Sequence, residues 1–545
     1  MAGRPGCLPE IRTLNDGSSD ASVSDVDQVG LDAEVRDAGS GPEVLTSDRF
    51  ESFDAEDHLD AQDESRSSFD SSGHDHIDAN PLESGSPLLS PLLVTPYAGA
   101  MATGRRPTLR WSNRGGDGAQ VELCSDRQCT SIIETIRASG NQTEVTRDLP
   151  TGVSFWRVRP IRGEQLGEDT SETSQFTVLP SQAQRSCLFG MHLDLNGDGY
   201  DDIIQPVSDG IDWFAGSRSG LAVRPHRIPT PGFSPSRSTG AGDFDGDGIT
   251  DLALIDSGRR EIGLVRGGAT PRWDDSSGAG PFPDNQSGGV RLASAGDLDG
   301  DGVADLVYFE SNGVEVRLLF GVRPTVRGAR VRFIDNVLNH GRTFGMVGGP
   351  GTLTNVNCDR FSDVIFNFGP EALMIQGAPR DRLQAHFFSS VGGHLLSLGD
   401  QNGDGSPDIL AFTGGVFQQA AVYRTLSSLL TNTPDEMVSH PMNCTAGTPG
   451  DINADGYADF VYAPRAGGWQ AMLGGPAGFR PLPASIGGNE TEGRFTVFAT
   501  GFVDTNGDGV MEILARLISN TTSTVIWRWG ESSAQWTGPA EAGFE

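Results

Sequence analysis

Short segments in which hydrophobic and polar residues alternate recur along the chain from about residue 87 onwards. Between residues 87 and 180 they read PTLRW, AQVELC, TSIIETI, VSFWRVRP and SQFTVL. A period of two residues is typical of half-buried β-strands, and the intervening Gly, Pro, Asn and Asp are typical of turns. The pattern therefore predicts an all-β fold.

The 87–180 segment has features of a known module. Trp111 lies on an early predicted strand, the turn LPTG follows, and the next strand carries Phe155 and Trp156. These features and a length of about 90 residues resemble a fibronectin type III domain. The resemblance implies a β-sandwich over residues 87–180 that acts as a spacer or a binding module.

An acidic nonapeptide recurs over residues 186–545. Its copies begin 49, 54, 58, 45, 51 and 53 residues apart. Repeats of this length indicate stacked or radially arranged structural units. The seven copies are DLNGDGYDD from Asp194, DFDGDGITD from Asp243, DLDGDGVAD from Asp297, NVNCDRFSD from Asn355, DQNGDGSPD from Asp400, DINADGYAD from Asp451 and DTNGDGVME from Asp504.

Three or four predicted strands accompany each nonapeptide, which is the size of one β-propeller blade. The loops, the flanking strands and the GG or FG turns resemble the FG-GAP and VCBS repeats of integrin α-subunit propellers and bacterial surface proteins. The resemblance implies a seven-bladed β-propeller over residues 186–545. The predicted fold class is thus all-β, with a fibronectin type III-like sandwich before the propeller.

Each nonapeptide offers oxygen ligands for a cation. Side chains at positions 1, 3, 5 and 9 and the main-chain carbonyl at position 7 supply the hard oxygens that calcium prefers. Gly at position 6 permits a sharp reversal of the chain. The predicted ligands in six copies are Asp194, Asn196, Asp198, Tyr200 and Asp202; Asp243, Asp245, Asp247, Ile249 and Asp251; Asp297, Asp299, Asp301, Val303 and Asp305; Asp400, Asn402, Asp404, Ser406 and Asp408; Asp451, Asn453, Asp455, Tyr457 and Asp459; and Asp504, Asn506, Asp508, Val510 and Glu512.

Two other structures share part of this pattern, an EF-hand loop and a solvated acidic turn. An EF-hand loop would need an acidic ligand at position 12 and flanking helices, but the six copies have Gln, Leu, Tyr or Ala there, between predicted strands. A single such stretch would equally suit a solvated acidic turn, but six copies in phase favour binding. We expect the fourth loop to be empty or weak because Arg360 replaces the glycine at position 6. The ions are expected to stabilise the fold.

The net charge and its distribution bear on the possible partners and on the N-terminal segment. The formal net charge is -33, and residues 1–85 hold 21 acidic residues and five Arg. The charge excludes a nucleic-acid partner, because phosphate binding needs a positive surface. Few residues of the 1–85 segment are suited to burial, so we expect it to be a disordered acidic spacer.

The cysteines bear on localisation. Cys124 and Cys129 bracket a predicted hairpin turn, where they form either a disulfide or two unpaired thiols. The opening MAGRPGC resembles the end of a bacterial lipoprotein signal, which would make Cys7 a lipid anchor, although an ordinary cysteine in a tail fits equally. No apolar run is long enough to span a bilayer as a helix. Calcium loops of ordinary affinity favour an extracellular or cell-surface location.

Enzyme motifs such as GxSxG, HExxH and the P-loop do not occur in the sequence. We therefore expect a non-enzymatic, calcium-binding adhesion or ligand-binding protein whose ligand is a protein or a glycan. The alternative is a carbohydrate-binding or polysaccharide-degrading propeller, in which tryptophans stack on sugars, although core packing is the commoner fate of a strand tryptophan. The candidate stacking residues are Trp213, Trp273, Trp469 and Trp527.

Overall fold

The structure is a computed structural model. It describes residues 43–45, 50–52, 87–222, 224–256, 258–279, 290–310, 315–324, 331–339, 352–368, 371–388, 394–413, 419–439, 442–464, 470–482, 494–497, 503–518 and 526–529. The secondary structure is nearly all β, as the sequence predicts. Within the described residues no helix is long and apolar enough to cross a membrane. The first two strands are β1 (Glu43–Leu45) and β2 (Phe50–Ser52).

Residues 87–189 form two sheets, which we call the two-sheet unit. One sheet has the order β3-β5-β8, and the other has the order β12-β4-β11-β9-β6-β7 with β10 added to β9. All pairs are antiparallel except β4 with β11. The strands are β3 (Leu92–Thr95), β4 (Ala100–Ala102), β5 (Thr108–Ser112), β6 (Gly118–Cys124), β7 (Ile132–Ser139), β8 (Gln142–Glu144), β9 (Gly152–Arg162), β10 (Gln165–Leu166), β11 (Ser174–Val178) and β12 (Leu188–Phe189).

One hydrophobic cluster has members from both of these sheets. Trp111 of β5 packs in one cluster with Val121 of β6, Trp156 of β9 and Phe176 of β11, and each is almost fully buried. The alternation of hydrophobic and polar positions explains this, because successive residues of a strand point to opposite faces. The predicted strands of the 87–180 segment are therefore confirmed.

Seven further sheets follow in chain order, one for each nonapeptide. Their strands are β13 (Ile203–Val207), β14 (Gly210–Phe214) and β15 (His226–Pro229); β16 (Pro235–Gly242), β17 (Asp251–Asp256), β18 (Glu261–Arg266) and β19 (Arg272–Ala279); β20 (Val290–Gly296), β21 (Asp305–Glu310), β22 (Glu315–Val322) and β23 (Arg332–Asn339); β24 (Thr352–Thr354), β25 (Asp363–Phe368), β26 (Glu371–Gln376) and β27 (Gln384–Phe388); β28 (His394–Gly399), β29 (Asp408–Thr413), β30 (Gln419–Tyr423) and β31 (Glu436–Ser439); β32 (Met442–Gly450), β33 (Asp459–Pro464), β34 (Gln470–Leu473) and β35 (Arg480–Pro481); and β36 (Arg494–Val497), β37 (Ile513–Ile518) and β38 (Ile526–Trp529).

Each of these sheets is an antiparallel meander of consecutive strands, and none of those described closes on itself. A short α-helix, α1 (Leu426–Leu430), interrupts the fifth between β30 and β31. Hydrophobic clusters lie between successive sheets; one, for example, joins Leu264 of β18 to Leu306 of β21. From the second sheet onwards, the acidic loop connects the first strand to the second.

The first sheet departs from the predicted repeat. The segment SCLFGMHL should supply its first strand, but β12 in this segment pairs with β4 of the two-sheet unit. The first sheet therefore has three strands, β13-β14-β15. The pairing gives β4 a second neighbour beside β11.

Two short parts of residues 1–85, for which a disordered acidic spacer is predicted, are described as strands. β1 pairs antiparallel with β27, and β2 pairs antiparallel with β23. Each adds a fifth strand to a sheet edge whose unpaired N–H and C=O groups would otherwise face solvent. The remainder of that prediction lies outside the described residues, as does Cys7.

Candidate cation-binding loops

In the six loops that begin with aspartate, the carboxylate at position 1 accepts hydrogen bonds from the main chain around it. In the second loop, Asp243 Oδ1 accepts hydrogen bonds from the N–H groups of Gly246 (2.7 Å) and Asp247 (3.1 Å), and Oδ2 accepts from Gly248 (2.8 Å). Gly248 has φ +84°, which a residue with a side chain rarely adopts. The same three bonds recur around Asp297 in the third loop.

Positions 3 and 5 continue this pattern. Asp247 Oδ1 accepts from the N–H of Ile249 at 3.0 Å. Where position 3 is asparagine, its amide donates to the carboxylate at position 5, as Asn196 Nδ2 does to Asp198 Oδ2 at 2.8 Å. The asparagine thus replaces a repulsion between two carboxylates by a hydrogen bond.

The acidic side chain at position 9 joins the loop to its sheet. Asp305 Oδ2 accepts from the N–H of Leu298 at position 2 (2.7 Å), and Oδ1 accepts from the N–H of Gly321 at the end of β22 (2.8 Å). This arrangement recurs at Asp202, Asp251, Asp363 and Asp459. The sequence analysis assigned position 9 only a ligand role and missed this structural one.

These carboxylates are buried close to one another, and the pKa values respond. Burial, reinforced by Asp247 and Asp245, raises the pKa of Asp243 to about 8. Burial also raises the pKa of Asp194, Asp400 and Asp451 to about 6, and that of Asp504 to about 7. In these loops burial therefore disfavours the charged form of the carboxyl at position 1, and a nearby positive charge would favour it.

Two loops bring at least three carboxylates together within the described part of the chain. The oxygens of Asp243, Asp245 and Asp247 lie within 4.8 Å of one another, as do those of Asp297, Asp299 and Asp305. These clusters of largely buried aspartates could hold a metal ion. In the first, fifth, sixth and seventh loops the residue at position 3 is asparagine. The predicted residues occupy equivalent places there with fewer charges, because an amide replaces one carboxylate.

Arginines from neighbouring segments contact the two most acidic loops. Arg266 Nη1 lies 2.9 Å from Asp245 Oδ2, and Arg380 pairs with Asp299 and, at 3.3 Å, with Asp301. Arg266 is 4% exposed, so this pair is well shielded from water. The sequence analysis missed these arginines because they lie 21 and about 80 residues from their partners.

Hydrogen bonds link the loops to one another. The N–H at position 8 donates to the position 1 carbonyl of the preceding loop: Ala304 to Asp243, Ser362 to Asp297, Ala458 to Asp400 and Met511 to Asp451, at 2.7–3.0 Å. Thr250 makes the equivalent bond to Asp194 through its hydroxyl group. Asp201 of the first loop donates to Asp504 of the seventh at 3.0 Å. Between the fourth and fifth loops the donor is missing, since position 8 is Pro407.

This repeating geometry has a counterpart among known families. Residues 194–254 match the model of the FG-GAP-like repeat. The match covers the first two acidic loops and supports the repeat family predicted from the nonapeptides. No curated protein matches the chain.

Among solved structures, the chain is similar to a protein of Bacteroides thetaiotaomicron VPI-5482 described as a "Putative phosphatase". The sequence identity is 11%, and the alignment covers 83% of this chain and 96% of that one. The TM-score is 0.23, which does not establish a common fold.

The fourth loop differs from the others, and it contains a disulfide that the sequence analysis missed. Cys358 stands at position 4 with φ +54° and is bonded to Cys187, with a Cα–Cα distance of 5.2 Å. Of the two states left open for Cys124 and Cys129, the structure has the disulfide, with Cα atoms 5.1 Å apart. Cys187 and Cys358 are 171 residues apart, so no local sequence pattern indicated that they pair.

The tryptophans considered for sugar stacking differ in their surroundings. Trp213 is 9% exposed and lies in the hydrophobic cluster between the first and second sheets. Trp273 packs partly buried against the same cluster. Trp469 and the side chain of Trp527 lie outside the described residues. Core packing therefore accounts for both described tryptophans.

Proposed function

We propose that this protein is a non-enzymatic, calcium-binding, extracellular ligand-binding protein in which calcium ions stabilise a β-propeller. The observation that carries the proposal is the repeated loop in which a buried carboxylate at position 1 gathers further acidic or amide oxygens around a main-chain reversal. The FG-GAP-like match at residues 194–254 supports the same reading.

Calcium suits these loops better than other common ions. The ligand atoms are carboxylate, amide and carbonyl oxygens, which are hard ligands. Calcium is large enough to bind six to eight such oxygens at once. Zinc prefers His and Cys, which the six predicted loops lack. A calcium ion would be held by Asp243, Asp245, Asp247 and Asp251 in the second loop, and by the corresponding residues in each of the other five.

The seven consecutive sheets support a seven-bladed propeller resembling the integrin α-subunit head. In particular, the hydrogen bond from Asp201 to Asp504 joins the first loop to the seventh, which is the contact that a closed ring requires. Two sheets around the core of Trp111 and Trp156 support a fibronectin type III-like sandwich over residues 87–180. Closure protects the edge strands of a propeller from further pairing.

The location we propose is the cell surface or the extracellular space. Two disulfides, Cys124–Cys129 and Cys187–Cys358, support an oxidising compartment. A lipid on Cys7 would anchor the acidic 1–85 segment as a spacer, and the propeller would adhere to a protein or glycan ligand. Enzyme activity forms no part of this proposal.

Calcium titration of the full chain tests the central claim. After treatment with a chelator, calorimetry should detect about six sites, and chelator should lower the melting temperature, because a ligand that binds only the folded state stabilises it. An Asp297→Asn/Asp299→Asn variant should lose one site. The matched control, Asp359→Asn in the fourth loop, should lose none. An unchanged melting curve in chelator would contradict the proposal. Separately, a screen of the calcium-loaded protein on glycan and protein arrays would define its ligand.

A further inference from the structure

Each of the seven acidic loops contacts the two-sheet unit. Hydrogen bonds link consecutive loops, apart from the fourth and fifth, and link the first to the seventh, and we call this set the cycle of acidic loops. Arg127 donates through Nε to the carbonyl of Gly197 in the first loop (2.6 Å) and through Nη1 to that of Gly248 in the second (3.0 Å). Thr103 Oγ1 donates to the carbonyl of Gly405 in the fifth at 2.6 Å. The two-sheet unit therefore rests on the main chain of the loops.

Close packing at position 6 extends this contact to the other loops. A Cβ atom added to Gly302 in the third loop would collide with the carbonyl oxygen of Leu93. One added to Gly456 in the sixth would lie 3.4 Å from Ser181 Cα, and one added to Gly509 in the seventh would lie 2.8 Å from the nitrogen of Gly152. Glycine at position 6 thus serves both the reversal of the loop and the approach of a second main chain.

Polar and apolar side chains of the two-sheet unit also reach the loops. Gln175 of β11 is 4% exposed, and its Nε2 donates to Asp194 Oδ2 at 2.7 Å. Its Oε1 accepts from Arg127. Met101 and Leu179 pack with Met511 of the seventh loop in one buried cluster. The position of this unit therefore depends on the shape of the loops.

At the fourth loop the contact is covalent. Cys358 occupies a position held by glycine or, in the sixth loop, by Ala454, and like Ala454 it has positive φ. Its partner Cys187 lies next to β12, and the N–H of Cys187 donates to Thr103 Oγ1 at 2.8 Å. The loop with the weakest set of cation ligands is thus the one bonded to the two-sheet unit.

We propose that the cycle of acidic loops is the docking surface of the two-sheet unit, and that docking and cation binding are coupled. In this arrangement cations keep six loops in the shape that the unit contacts, and the Cys187–Cys358 bond fastens the unit at the fourth. The inference rests on the proposed cation binding. It also implies that an external ligand binds away from the loops, since the unit covers them.

Hydrogen–deuterium exchange on the full chain tests the coupling. The reporters are residues 98–104 and 174–180, which contact the loops, and the internal reference is the β9–β10 hairpin at residues 160–166. Chelation should speed exchange at the reporters by about tenfold or more in a Cys187→Ser/Cys358→Ser variant and by less in the wild type, because local opening controls exchange. The hairpin should change little.

The matched control is Arg106→Ala, which removes an exposed ion pair with Asp148 (2.7 Å) inside the two-sheet unit. It should respond to chelator as the wild type does; a response equal to that of the Cys187→Ser/Cys358→Ser variant would overturn the proposal. Should the Cys187→Ser/Cys358→Ser variant fail to fold, the folded wild-type protein is reduced mildly and exchange at the same reporters is measured with and without chelator.

Calcium content, measured on the same samples, separates the two proposals. If calcium binds and is removed by chelator while the reporters exchange at an unchanged rate, the coupling is wrong and the proposed function stands. If no calcium binds at all, the proposed function fails, and the coupling fails with it.

Discussion

The main-chain N–H of Asp201 donates a hydrogen bond to the carbonyl oxygen of Asp504, 3.0 Å away and 303 residues further along the chain. A second bond runs from the N–H of Asp504 to Asp201 Oδ2 at 2.6 Å. Asp201 also pairs with His192, which is 2% exposed. The first and seventh acidic loops are therefore joined in the same way as consecutive loops are.

Removing one such link should destabilise the fold. Ala458→Pro deletes the N–H that donates to Asp400 (2.7 Å) at a position where the fifth loop itself carries proline. We expect a loss of about 1–3 kcal/mol, since the buried carbonyl loses its partner. The reciprocal variant Pro407→Ala restores a donor between the fourth and fifth loops and should change stability by less than about 1 kcal/mol. Urea unfolding measures both, and equal losses would contradict this assignment.

The carboxylate at position 9 should matter even without a cation. Asp305→Ala leaves the buried N–H groups of Leu298 and Gly321 without their acceptor, which should cost on the order of 3 kcal/mol. Asp381→Ala, at a side chain that is 78% exposed, is the control and should change stability by less than about 0.5 kcal/mol. Unfolding is measured with calcium and with chelator. A loss that disappears in chelator would show that position 9 acts only through the ion.

Two glycines with nearly equal φ angles allow the cost of backbone strain to be measured separately from the cost of a steric clash. Gly302 has φ +83° and Gly140 has φ +81°, but an added Cβ would meet the Leu93 carbonyl at the first and nothing within 4 Å at the second. Gly302→Ala should therefore cost about 1–3 kcal/mol more than Gly140→Ala. Thermal unfolding compares the two variants. Equal costs would mean that the two-sheet unit does not press on the third loop.

Rising pH should lower the stability of the metal-free protein and raise its affinity for calcium. Burial raises the pKa of Asp451 to about 6, that of Asp504 to about 7 and that of Asp243 to about 8, all above the 3.8 of an exposed carboxyl. In the metal-free protein, a raised pKa contributes stability that is present at low pH and is lost as pH rises through about 6 to 8. The melting temperature in chelator should therefore fall from pH 5 to pH 8.

Calcium affinity should rise over the same interval, because the ion must displace protons from these carboxyls. Calorimetry in two buffers of different ionisation enthalpy measures the protons released on binding at about pH 6. Mutation of the fourth loop by Asp359→Asn serves as the control and should leave the released number unchanged. An affinity independent of pH would contradict the placement of the ion among these buried groups.

The sequence by itself determined what depends on near neighbours in the chain. Alternating residues specified the strands of β5, β6 and β9, because the two faces of a strand alternate with a period of two. The nonapeptides specified the seven loops, since the carboxylates at positions 1, 3 and 5 bond to N–H groups within five residues. A separation of five residues made the Cys124–Cys129 disulfide one of two possibilities that the sequence left open.

Only the tertiary structure decided which distant segments meet. The pairing of β12 with β4, the bond between Cys187 and Cys358, and the contact of Arg127 with two loops each join residues that are far apart in sequence. Many such pairings are compatible with one pattern of hydrophobic and polar residues. The choice among them depends on which surfaces bury one another best and on which buried N–H and C=O groups find partners, and these are properties of the whole packed chain.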